Sequence, residues 1–165
     1  MPISRYVHFY ALFDPPGALE VIGRYSPQRI RGECSVSVAP FSWLAKRYGD
    51  DLAVLWIDSH PDVGTPASQY PGYHAMAVAV LTGHGDPDVL RLLPATVDPG
   101  RVALVGLHSW TEDDFPNIAR WRIRSFRPDD LHLSTQQLLD WLKGLTRTWS
   151  LRRSYLRRPR WARSR

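Results

Sequence analysis

The chain has 165 residues and 44% apolar side chains, enough for one domain with a buried core and too apolar for a disordered chain. Its formal charge of +5 is local: seven of its 21 basic residues fall in LRRSYLRRPRWARSR (151–165), which holds no acid. The first 150 residues therefore carry 14 basic and 16 acidic side chains, a formal −2, which removes a basic body as a reason to expect nucleic acid.

Cys34 is the sole cysteine, so no internal disulfide can form, and a reducing cytoplasmic setting is expected. The longest central apolar run, Ala75–Leu81, is too short to cross a bilayer, and the opening MPISRYVHFYALFDPP has no secretory-leader pattern. Neither a membrane nor nucleic acid is expected as a partner. The Arg/Trp-rich tail 151–165 is expected to be disordered and offers cations for a phosphate or acidic surface.

Taken in chain order, Tyr6–Leu12 has the length of a strand, and FDPPGALEVIG (13–23) mixes turn residues with a short apolar patch. Val38–Tyr48 places Phe41, Leu44, Ala45 and Tyr48 at helical spacing, with Gly49 as a stop. Leu52–Ile57 is continuously apolar, as in a strand covered on both faces. Pro71-Gly72 marks a break before an alanine-dense helix over Tyr73–Leu81, ended by Thr82-Gly83.

Asp86 and Pro87 suit an N-cap and first helical position, which predicts a short helix over Val89–Leu93. Val102–Leu107 is the next strand, and Ser109 or Thr111 is placed to cap the element after it. Ser134-Thr-Gln-Gln137 has capping-box spacing, with Leu133 and Leu138 as a hydrophobic staple. Leu138, Trp141 or Leu142, and Leu145 line one side of that helix. Alternating strands and helices predict a three-layer α/β/α domain with a mainly parallel sheet over 1–150. A mostly helical chain with two buried apolar segments is the competing reading.

The segment LAVLWIDSHPDVGT (52–65) runs a buried strand into Asp58, His60 and Asp62. On extended backbone these three project to one side, at the strand end where open α/β sheets place ligands. Two carboxylates and an imidazole there suit a divalent cation, Mn²⁺, Zn²⁺ or Fe²⁺ rather than Ca²⁺. The alternative is a surface turn, since Asp, Ser, His and Pro are common loop residues.

VLWIDSHPDVGT resembles the Asp-Ala-His-x-Asp segment of the arginase/agmatinase (ureohydrolase) family, with Ser59 at the usual alanine. YPGYHAMAVAVLTG resembles the family's Gly-x-x-His-Gly-Met segment, VALVGLHS a following strand, and RGECSVSVAPFSWL a Gly-Gly-Asp-His helix start. The four occur in family order over about residues 28–145. This resemblance implies a fold with two Mn²⁺ ions bridged by hydroxide, which hydrolyses guanidino or formimino C–N bonds. It also implies homo-oligomers as a form of the intact family.

By the same resemblance Asp58, His60 and Asp62 are metal ligands and His74 transfers a proton to the leaving amine. Cys34 stands where the family's first metal-ligating histidine sits. It is read either as a thiolate ligand that favours softer ions such as Zn²⁺ or as an inert core thiol.

The family's later Asp-x-Asp-x-x-Asp-Pro strand has no counterpart: Asp129 and Asp130 are adjacent, and Asp98-Pro99 lacks partner carboxylates. The expectation is a truncated, arginase-like amino-terminal part with one ion or none, and impaired hydrolysis. A non-catalytic fragment that binds one metal ion or a partner chain is the alternative.

Overall fold

The computed structural model describes residues 8–12, 34–70 and 72–152. Residues 13–23, with the short apolar patch, and residues 153–165 of the arginine-rich tail lie outside the described residues.

Four strands form one sheet: β1 (His8–Leu12), β2 (Ala53–Ile57), β3 (Val102–Val105) and β4 (Arg124–Phe126). They lie in sequence order, β1 antiparallel to β2 and the other two pairings parallel. The sheet is thus mainly parallel, as its apolar strands predict, and β1 falls inside the expected Tyr6–Leu12.

Side chains alternate between two covered faces. Val54, Trp56, Val102 and Leu104 join one core cluster, while Leu55, Ala103, Val105 and Phe126 form the other. Three layers result.

The larger core is closed by helix α1 (Val38–Tyr48) and helix α2 (Ala77–Leu81). Helix α1 buries Val38, Phe41, Ser42 and Ala45, the i, i+3, i+4, i+7 stripe of an amphipathic helix. It stops at Gly49, whose φ of 53° admits the left-handed turn and whose N–H donates to the Ala45 carbonyl. Helix α2 is buried on every side, consistent with its all-apolar sequence AVAVL. The preceding residues Tyr73–Met76 form a 3₁₀ turn, so the expected single helix over Tyr73–Leu81 has two parts.

Helix α3 (Pro87–Leu90) begins as predicted, with the Asp86 carboxylate accepting from the Asp88 N–H at 2.7 Å. It ends before the expected Leu93. Helix α4 (Phe115–Arg120) has Asp114 at its N-cap without a side-chain capping bond. The expected caps Ser109 and Thr111 lie upstream of that position; instead the Thr111 carbonyl accepts from the Asp114 and Phe115 N–H groups.

The other face of the sheet is covered by helix α5 (Pro128–Leu133) and helix α6 (Gln136–Arg152). Leu131, Leu138, Trp141 and Leu142 pack on it, which bears out the Leu138 and Trp141/Leu142 positions of the apolar line read along α6. At the start of this helix the Ser134 hydroxyl accepts from the Gln136 N–H at 3.0 Å, and the Ser134 N–H donates to the Asp130 carbonyl. The staple does not form, because Leu133 is 87% exposed while Leu138 turns to the sheet.

Candidate metal centre

The centre is built where β2 ends. Strand pairing continues one bond past Ile57, with the Asp58 N–H donating to the Val105 carbonyl at 3.2 Å. The chain then bends. The Asp58 carboxylate folds back to accept from the His60 N–H at 3.0 Å and from the Ser59 hydroxyl at 3.2 Å, a local Asx turn. The Ser59 carbonyl accepts from His108 and Ser109, tying this bend to the segment after β3.

Asp62 has a φ of 51°, in the left-handed region that an aspartate enters more readily than most residues. The extended backbone assumed for residues 58–62 is therefore broken, and strict alternation does not govern their side chains. Asp62 is 4% exposed, and its carbonyl accepts from the Val78 and Ala79 N–H groups at 2.9 and 3.2 Å. These bonds pin the turn to the start of α2.

The 3₁₀ turn Cys34–Ser37, which leads directly into α1, brings Cys34 to the same place. One potential ligand atom each from Cys34, Asp58 and Asp62 lies within 4.8 Å of the others, and Cys34 Sγ donates to Asp58 Oδ2 at 3.6 Å. Burial pushes the Cys34 thiol pKa well up, with Asp62 and then Asp58 adding to the effect. Without a cation the thiol is held neutral between two carboxylates.

The structure does not bring His60 into this group. Its Nδ1 lies 3.0 Å from the Ser59 hydroxyl and 3.5 Å from Asp58 Oδ1. His74 sits in the 3₁₀ turn ahead of α2, with Nε2 3.3 Å from the Tyr70 hydroxyl and the two rings edge to face. Asp129 and Asp130 are exposed on α5, and Asp98 caps the turn Pro99–Arg101 by accepting from the Gly100 N–H. None of these three joins the cluster.

A supporting shell went unread in the sequence. The Asn117 side chain, buried on α4, donates to the Val63 carbonyl at 3.0 Å. The Ser68 hydroxyl donates to the buried Asp114, and the Gln69 N–H donates to Asp113 at 2.8 Å. That last bond is the main influence lowering the Asp113 pKa. Neither these acids nor Asn117 carried a signal in the sequence.

The donor set fits one divalent cation. A thiol and two carboxylates from separate turns converge, and a cation would relieve the crowding of their anionic forms. The group does not furnish a second set of ligands, and no other cluster of this kind occurs among the described residues.

A family model described as the arginase family matches residues 25–148. The arginase of Staphylococcus aureus is 28% identical over 106 residues, which cover 64% of this chain and 35% of that protein. The arginase of Eremothecium gossypii is 30% identical over 104 residues, covering 61% and 26%. The chain thus spans about a third of the curated relatives it matches.

Solved structures share the fold. An Entamoeba histolytica arginase in complex with L-ornithine superposes with a TM-score of 0.59 at 21% identity, covering 70% of this chain and 41% of that one. The native Bacillus caldovelox arginase at pH 5.6 gives 0.57 at 23% identity, covering 78% and 46%. With four motifs in order, a match over most of its length and this fold, the chain belongs to the arginase family.

Proposed function

We propose that this chain provides the cation-binding half of a ureohydrolase-type centre, acting on the C–N bond of a guanidino or formimino compound. The convergence of Cys34, Asp58 and Asp62 at the end of β2 carries the reading. In this proposal those three residues hold one divalent cation, where the wider family is read as using two Mn²⁺. His60 stands outside that donor set. When bound, the cation supplies Lewis-acid polarisation and charge stabilisation at the carbon under attack.

The chain's own residues supply the rest. His74 is the proton carrier, with the Tyr70 hydroxyl 3.3 Å from Nε2 to orient the ring and steady its tautomer. The buried turn through Asp62 keeps two of the donors fixed relative to His74, because the same turn is bonded to the start of α2. The proposed setting is the cytoplasm; among the described residues no helix is long and apolar enough to cross a membrane.

Release of urea from guanidino compounds, or of formamide from formimino compounds, with cation-loaded protein, tests turnover. The count of three donors favours a second reading: cation binding without turnover, or turnover only alongside a chain bearing further carboxylates. Loaded, folded protein that releases neither urea nor formamide from any compound would support that second reading.

A further inference from the structure

Of the three converging donors two are hard carboxylates and one is the chain's single thiol. Mn²⁺ favours oxygen donors and six-coordination, whereas Zn²⁺ accepts thiolate and carboxylate together in a four-coordinate site. A tetrahedron with Zn–S of ~2.3 Å and Zn–O of ~2.0 Å has an S···O edge of about 3.5 Å. The Cys34 Sγ to Asp58 Oδ2 separation is 3.6 Å, which matches that edge before any adjustment. Three protein ligands also leave one position open, the pattern of zinc sites that meet water or substrate.

We infer that Cys34 makes this centre a thiolate site selective for Zn²⁺ over Mn²⁺, with Cys34, Asp58 and Asp62 as its protein ligands. The inference rests on the cation-binding reading above. On coordination the Cys34 S–H bond breaks, its proton leaves to solvent, and the sulfur electron pair binds the cation; no atom changes oxidation state. The two carboxylates then share the cation with the thiolate.

The test uses the full chain with Co²⁺ as a spectroscopic substitute, and Zn²⁺ against Mn²⁺ in competitive dialysis. The expected result is a sulfur-to-cobalt charge-transfer band in the near ultraviolet that disappears in Cys34→Ser. The Zn²⁺-over-Mn²⁺ ratio should also fall by about tenfold or more in that variant, since softness of the donor sets part of the preference. Bound Co²⁺ without the band, in the unaltered chain, overturns the inference while leaving the cation site standing. An unchanged metal ratio in a folded Cys34→Ser protein overturns it equally. Failure to take up any of the three ions overturns both the inference and the reading beneath it.

Discussion

The Cys34 thiol donates to the Asp58 carboxylate across 3.6 Å, joining the approach to α1 to the end of β2 although 24 residues separate them. The bond exists because β2 ends at Ile57 and Asp62 turns left-handed, so that two carboxylates face the start of α1. That geometry, rather than the spacing of the D-S-H-P-D segment, selects which of its residues form the cluster.

Gly64 is the first point of pressure on this arrangement. A Cβ there would meet the Ala75 carbonyl at 3.0 Å, Asp114 Oδ2 at 3.2 Å and Met76 Cγ at 3.5 Å, while the Gly64 N–H bonds that same carbonyl at 2.8 Å. Gly64→Ala is expected to destabilise the fold by about 1–3 kcal/mol, as overpacking does. Urea unfolding of the purified variant measures this, and cation affinity should drop with it.

Asn117→Ala removes the donor to the Val63 carbonyl without touching the cluster. A buried carbonyl left without that partner costs about 1–3 kcal/mol. The same unfolding measurement should show the loss. Asn117→Asp should be worse than alanine, because it sets a buried carboxylate oxygen against the Val63 carbonyl oxygen.

His84 gives the fold a pH dependence of defined sign. Its ring stacks on Trp121 with centroids 4.1 Å apart, and burial lowers its pKa, partly countered by Thr82. The neutral imidazole is therefore favoured in the fold, and the unfolded chain takes up the proton first. Its contribution is complete above the ordinary imidazole value of about 6.5 and declines as pH falls through that value, levelling below the folded pKa. The urea midpoint should drop between neutral and mildly acid pH, and His84→Phe, which keeps a ring against Trp121, should reduce that drop.

Much of this was legible in the sequence because burial leaves a pattern. The run Leu52–Ile57 and the spacing of Phe41, Leu44 and Ala45 gave β2 and α1 nearly to the residue. Strand β4 escaped because Arg124 and Ser125 are exposed and only Phe126 packs on the sheet, which leaves no apolar run to read. The staple at Leu133 failed for a related reason: Leu138 finds a better apolar surface on the sheet than beside Leu133.

The site was legible as chemistry and illegible as geometry. Asp58, His60 and Asp62 stood out by type, but alternation assumes continued extension, and one residue with a φ of 51° ends it. Cys34 came into view only through the family resemblance, since a lone cysteine has no spacing of its own. The supports at Asn117, Ser68 and Asp114 bond across long stretches of chain, where no local pattern reaches.

The central claim is that Cys34, Asp58 and Asp62 form a one-cation centre at the mouth of the sheet. Equilibrium dialysis of the full chain, with metal counted per polypeptide, tests it most directly. The account predicts one bound divalent cation per chain, lost in Asp58→Asn and Asp62→Asn and retained in His60→Ala. No uptake by folded protein, or uptake that survives both aspartate substitutions and depends on His60 instead, would contradict it.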